Sequence, residues 1–203
     1  MITAQTNESL DLAARIIDRG GIIAFRTDTF YGLGADPFNR EAVEKIKSLK
    51  GREENKPILI VISGEQQLER FVLNNSAAFE RLAKAFWPGP VTLIGGARDA
   101  LPEGITAGSK TVGVRLPNDD RVRALVRACG GGLTATSANL SHLAPSASAK
   151  AVQEYFGEQV DLIVDDGDAQ TDLPSTVVDA SGDEAKLIRE GAISWDEISQ
   201  ALT

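Results

Sequence analysis

The chain has 203 residues, 42% apolar and 25% charged, with 19 glycines and 8 prolines; this suffices for one domain with a substantial core and excludes a disordered or collagen-like polymer. Its 29 acidic residues outnumber 21 basic ones for a net charge of −8, which argues against a surface devoted to nucleic-acid phosphates. The charge is uneven: residues 1–150 carry 19 Lys+Arg against 16 Asp+Glu, whereas residues 151–203 carry 2 against 13 and read as a solubilising surface.

Leu10, Ala13, Ala14, Ile16 and Ile17 recur at helical spacing before Gly20-Gly21, so a helix is expected over 9–19, followed by an apolar strand at 21–25. Asn39 is placed to cap a helix with Val43, Ile46 and Leu49 on one face, and Lys50, Gly51 and Arg52 lie at its end. The run ILIVI at 58–62 reads as a buried strand, and Ser63 with Gln66 resembles a capping box for a helix through Phe71. A helix at 76–86 is broken by Trp87-Pro88-Gly89-Pro90, and strands at 91–94 and 111–116 flank a Gly-rich loop. Then come a helix at 119–129, a strand at 132–136, a helix at 148–156, strands at 162–164, 176–178 and 186–188, and a last helix from 194. Intermixed strands and helices without repeat or linker give an α/β fold, and the closely spaced C-terminal strands favour a mixed sheet.

Cys129 is the only cysteine, so no internal disulfide is expected, and no charged segment followed by a long apolar run opens the chain. The longest apolar stretch, 57–62, is far shorter than the roughly 20 residues a membrane helix needs. One cytoplasmic domain covering 1–203 is the expectation.

Four segments carry polar chemistry. The loop 27–34, dense in hydroxyls and closed by Gly32 and Gly34, is either a plain turn or a place where a ligand approaches the backbone. Lys50, Arg52 and Lys56 follow one another closely; a helix C-terminus accounts for Lys50, while a guanidinium beside an ammonium suits a carboxylate or phosphate. Arg115 ends an apolar strand and faces a cleft or solvent. The segment 133–141 runs into small hydroxyl and amide residues that cap a helix or bind a ligand.

His142 is the single histidine, which nearly excludes a His/Cys zinc site or a Cys-His catalytic pair. The acidic run 165–168 lacks EF-hand spacing and reads as a solvated turn. The residues alone thus describe a cationic, hydroxyl-rich site for an anionic small molecule.

Seven segments in order, TDTFYGLGADPFN (27–39), KGREENKP (50–57), FWPGPVTLI (86–94), GVRLPN (113–118), TSANLS (136–141), PSTVVD (174–179) and IREGAI (188–193), closely resemble the threonylcarbamoyl-AMP synthase, or YrdC-domain, family in its short single-domain form. The resemblance implies a twisted α/β sheet with a large open concave surface. It also implies an enzyme that joins L-threonine, bicarbonate or CO2, and ATP into L-threonylcarbamoyladenylate and pyrophosphate, with Mg²⁺ on the ATP phosphates and no protein metal site. The product would feed N6-threonylcarbamoylation of adenosine 37 in tRNAs reading codons that start with A, through a downstream tRNA threonylcarbamoyl-transfer complex.

By the same resemblance Lys50, Arg52, Ser137 and Asn139 match the family's catalytic KxR and SxN elements. Thr29, Tyr31, Arg115 and Ser175 would contact threonine, and Arg52, Lys56, Thr111, Ser137, Pro145 and Arg189 would line the ATP side. Arg26, Val61, Ala135 and His142 differ from the family's usual Pro, His, Ser and Gly. Two alternatives stand beside this reading: a divergent family member with another amino-acid or carbamoyl substrate, and an RNA-binding protein with weak affinity for tRNA or double-stranded RNA.

Overall fold

The computed structural model describes residues 1–51, 56–140, 143–169, 171 and 173–203. Its strands are β1 (Ile2–Ala4), β2 (Ile23–Arg26), β3 (Tyr31–Gly34), β4 (Leu59–Ile62), β5 (Val91–Gly96), β6 (Thr111–Arg115), β7 (Gly132–Ser137), β8 (Leu162–Asp165), β9 (Thr176–Asp179) and β10 (Lys186–Arg189). The helices are α1 (Asn7–Asp18), α2 (Arg40–Leu49), α3 (Ala77–Phe86), α4 (Glu103–Thr106), α5 (Asp120–Ala128), α6 (Ala149–Phe156) and α7 (Trp195–Gln200). All ten strands join one sheet in the order β1-β8-β2-β3-β7-β4-β6-β5-β9-β10. Four pairings are parallel, β1/β8, β2/β8, β4/β6 and β5/β9, and the other five are antiparallel. The expected mixed α/β sheet with flanking helices is therefore what the chain forms.

Side chains alternate across a strand, and this sorts the core into two layers. On the first face, α2 (Val43, Ile46), α3 (Phe79, Leu82) and α6 (Val152, Phe156) pack over Ala24, Leu33, Ile60, Ile62, Leu93, Val112 and Val114. On the second, α1 (Ala13, Ile17) and α5 (Val122, Leu125, Val126) pack over Ile23, Phe25, Val61, Leu133, Leu162 and Val164. Strand β4 contributes to both layers, which is why it reads as an unbroken apolar run. Among the described residues the second core takes nothing from β5, β6, β9 or β10. Among the described residues helices α1 and α5 thus cover only part of that face, and no helix packs over the part formed by β5, β6, β9 and β10.

Several elements depart from the sequence reading. The segment expected as a capped helix through Phe71 is a 3-10 helix, Glu65–Arg70, preceded by Gly64 with no side-chain cap. Ser63 instead continues the sheet, its N–H donating to Gly131 O at 3.1 Å, and its hydroxyl finds no described partner. Strand β3 occupies what reads as a loop: β2 and β7 pair with it on both sides, and at Gly34 a Cβ would stand 2.7 Å from the Phe25 ring, so glycine is required there. The short α4 interrupts the Gly-rich connection before β6, and β1 is added at the sheet edge beside β8. Among the described residues no helix is long and apolar enough to cross a membrane.

Candidate functional site

The alternation that buries Val112 and Val114 in the first core turns Thr111, Gly113 and Arg115 toward the uncovered part of the second face. In the same way Leu93 is buried opposite Thr92, and Ser137 continues the side of β7 that carries Leu133 and Ala135. A cleft of about 190 Å³ lies over this floor, and its lining includes Thr27, Thr29, Tyr31, Leu59, Arg115, Ala135, Ser137, Pro145, Ser175 and Arg189.

One wall is the tight turn between β2 and β3. The Thr27 N–H donates to Phe30 O at 3.0 Å, the Thr29 N–H to Thr27 Oγ1 at 3.2 Å, and the two threonine hydroxyls lie 3.0 Å apart. Arg115, 3% exposed, reaches this turn: Nη1 donates to Thr29 Oγ1 at 3.3 Å and Nη2 pairs with Asp28 Oδ1 at 3.2 Å. Its Nε has no described partner. Burial pushes the Arg115 pKa down and Asp28 opposes it, but a guanidinium keeps its charge at any physiological pH.

The opposite wall carries Arg189, whose Nη2 donates to Ser175 O at 2.7 Å and to Ser175 Oγ at 3.2 Å. Ser175 Oγ in turn lies 3.1 Å from Thr92 Oγ1. Burial lowers the Arg189 pKa, and so does the charge of Arg115, so the two guanidinium groups feel each other across the cleft. Among the described residues Arg115 is the one cation paired with Asp28, whose other oxygen accepts from Asn118 N–H at 3.4 Å, and the described cleft lining keeps a positive surplus that an anion can neutralise.

Behind Ser137, the Lys50 ammonium donates to Ser137 O, to Asn139 O at 2.9 Å and to Asn139 Oδ1 at 3.2 Å. Lys50 is the C-cap of α2 and is 4% exposed. The KxR and SxN elements thus meet through Lys50, Ser137 and Asn139, although only Ser137 lines the cleft; Arg52, like His142, lies outside the described residues.

Other expected site residues are spread more widely. Lys56 is exposed and, like Thr111, lies outside the cleft lining. Thr111 shares the open face with Arg115 but stands four residues along β6, about 13 Å away at the usual rise of a strand. Tyr31 lines the cleft, yet its hydroxyl is directed to the turn after β8, donating to Gly167 O at 2.9 Å and lying 3.3 Å from Asp165 Oδ1.

At Asp166 that turn corrects the reading of 165–168 as solvated charge, while Asp168 is exposed as expected. Asp166, 11% exposed, pairs with Arg26 Nη2 at 2.7 Å and Arg121 Nε at 2.5 Å, and the same Arg26 atom meets Asp119 Oδ2 at 2.8 Å. Asp119 also caps α5, accepting from the Arg121 and Val122 N–H groups. Burial works against the charged Arg26, but Asp166 and Asp119 outweigh it and hold its pKa above the ordinary value. Arg26 therefore fastens the turn 27–30 to α5 and to the β8 end. Sequence inspection gave Arg26, Asp28 and Thr92 no role, although Asp28 and Thr92 lie inside the family-like segments 27–39 and 86–94. No group of three or more His, Cys, Asp or Glu side chains that could hold a metal ion occurs among the described residues.

Burial, with Asp165 nearby, pushes the Tyr31 hydroxyl up to about 12. A phenol whose folded pKa is raised contributes stability below its unfolded value near 10, and that contribution is lost as pH rises from about 10 to about 12. In an absorbance titration of tyrosinate, Tyr31→Phe is expected to remove amplitude only near pH 12; amplitude lost around pH 10 would contradict the buried, hydrogen-bonded hydroxyl.

Residues 15–191 match the sequence model of the Sua5/YciO/YrdC family, described as "Telomere recombination". The chain belongs to the Sua5/YciO/YrdC family. It is similar to the threonylcarbamoyl-AMP synthase of Pyrococcus abyssi, with 36% identity over 191 residues, 94% of this chain and 56% of that one. The synthase of Idiomarina loihiensis is 36% identical over 168 residues, 82% of this chain and 90% of that one. The crystal structure of P. abyssi Sua5 complexed with L-threonine matches with a TM-score of 0.93 at 34% identity, covering 99% of this chain and 59% of that one. The chain spans a little over half the length of its P. abyssi and Bacillus subtilis relatives. Within the Sua5/YciO/YrdC family, Val61 stands where the resemblance expects a polar histidine, and it is fully buried in the second core.

Proposed function

We propose that this protein is an L-threonylcarbamoyladenylate synthase. The observation that carries the reading is the pair of guanidinium groups, Arg115 and Arg189, set among the hydroxyls of Thr27, Thr29 and Ser175 on an uncovered sheet floor. The names of the relatives and the threonine complex of P. abyssi Sua5 support it.

In the proposed reaction the threonine amine adds to CO2, forming an N–C bond and releasing a proton to water. A carbamate oxygen then attacks the α-phosphorus of ATP; the new O–P bond forms as the bond to the pyrophosphate oxygen breaks, and pyrophosphate leaves with its electron pair. Both steps bring one anion onto another, so fixed positive charge and alignment are what the protein must supply. In this reading Arg115 holds the threonine carboxylate and Arg189 faces the phosphates; the family resemblance adds Arg52 and the exposed Lys56 to the ATP side, with Thr111 and Pro145 along the nucleotide. The Mg²⁺ that accompanies ATP supplies further charge at the phosphates. Lys50 binds the backbone of Ser137 and the amide of Asn139, and in this reading the Ser137 hydroxyl serves the ATP side of the cleft.

The product serves N6-threonylcarbamoylation of adenosine 37 in tRNAs that read codons starting with A, by way of a tRNA threonylcarbamoyl-transfer complex. Val61 and Ala135 leave amino-acid recognition to Arg115, Thr29 and Ser175. The test is pyrophosphate release with ATP, bicarbonate and Mg²⁺ across a panel of amino acids. Stimulation by threonine above all others is the expected result. A folded, ATP-binding protein that ignores threonine would reject the assignment in favour of a family member with a different substrate.

A further inference from the structure

Thr92 is 1% exposed and does not line the cleft, yet it is a hydroxyl in the floor directly beneath Ser175. Its only described side-chain partner is Ser175 Oγ at 3.1 Å, and either oxygen can be the donor on distance alone. Two arrangements are possible. If Ser175 donates to Thr92, the Thr92 proton is buried with no described acceptor, which is unfavourable. If Thr92 donates to Ser175, its proton is satisfied, and Ser175 Oγ then accepts from both Thr92 and Arg189 Nη2 at 3.2 Å. A serine oxygen has two acceptor sites, so both are filled, and the Ser175 proton is left to point into the cleft.

We infer that Thr92 is a positioning residue that fixes Ser175 as a hydrogen-bond donor to the amino-acid substrate. Ser175 then recognises an acceptor oxygen, such as a carboxylate or hydroxyl oxygen, and offers nothing to a donor. The arrangement is set by the fold: Thr92 opposes Val177 in the parallel β5/β9 pairing, two residues from Ser175, and Arg189 is carried in by β10 from the sheet edge. Because the amino acid at Ser175 is the one named above, this inference rests on the synthase reading.

Steady-state pyrophosphate release tests both, with threonine and ATP varied separately. Wild-type protein that does not respond to threonine overturns the synthase reading and this inference with it. With a responsive wild type, Thr92→Val, which is nearly isosteric, is expected to raise the KM for threonine about tenfold while leaving the KM for ATP within about twofold, the loss of one hydrogen bond's ordering. Thr92→Ser, which keeps the donor, restores the wild-type KM to within about twofold.

The double variant Thr92→Val with Ser175→Ala is expected to match Ser175→Ala alone, because Thr92 acts only through Ser175. An unchanged KM in Thr92→Val, failure of Thr92→Ser to restore it, or additive losses in the double variant would each overturn the positioning role. Thermal melting checks the fold of each variant. Should Thr92→Val fail to fold, Thr92→Cys, whose thiol is a weak donor, must give an intermediate KM, and a wild-type value there overturns the inference.

Discussion

Replacing Lys50 with Met is expected to lower threonine-dependent pyrophosphate release about 100-fold, equivalent to about 3 kcal/mol, and also to lower the melting temperature. The ammonium converges on oxygens of Ser137 and Asn139, and these belong to the chain leaving β7 just where it borders the cleft. Met preserves the length and the apolar stem of Lys but leaves those carbonyls without their charged donor. Buried acceptors stripped of a partner cost more than the bond itself contributed, so the segment shifts and Ser137 leaves its place. Lys50→Arg is not expected to rescue either quantity, because a flat guanidinium cannot gather oxygens that surround a compact ammonium. Turnover near wild type in Lys50→Met, measured on protein of confirmed fold, would remove Lys50 from the mechanism. Helix-end electrostatics alone would make Lys50 a mild stabiliser with no such effect on turnover.

How much of this was legible in the sequence depended on the range of the interaction. Strand β4 and the Asn39 cap of α2 are local and were readable: both faces of β4 are buried, and Asn39 Oδ1 accepts from Ala42 N at 3.1 Å. Strand β3 was not, because YGLG has two glycines that weaken strand propensity, and only its partners β2 and β7 make it a strand. The acid turn failed in the same way. Asp166 finds Arg26 across 140 residues of sequence and Asp119 finds it across 93, so nothing near position 166 distinguishes a paired carboxylate from a solvated one.

The site shows the same division. Family motifs located Thr29, Arg115, Ser175 and Arg189, which the structure gathers in one cleft. They include Thr92, in FWPGPVTLI, but gave it no role, because that role depends on β5 pairing with β9, and the parallel pairing joins segments more than 80 residues apart. Nor could composition show that the floor is open. That follows from α1 and α5 covering only part of the second face, a matter of where two helices end up and not of which residues they contain.

Arg115 offers the sharpest separation of stability from recognition. Arg115→Met is expected to abolish threonine response and to destabilise the fold, because Asp28, 10% exposed, loses the cation that balances it, and breaking a buried pair costs about 3–5 kcal/mol. Adding Asp28→Asn removes the orphaned charge, so the double variant should recover most of the melting temperature and none of the threonine response. Arg115→Lys keeps a charge near Asp28 and therefore much of the stability. One ammonium cannot at once pair with Asp28, donate to Thr29 and present two parallel N–H groups to a carboxylate. Its KM for threonine is expected to rise about 100-fold, equivalent to about 3 kcal/mol, with the KM for ATP little changed. If the double variant regained threonine response along with stability, Arg115 would serve only to hold the turn 27–30, and the amino-acid carboxylate would have to lie nearer Arg189.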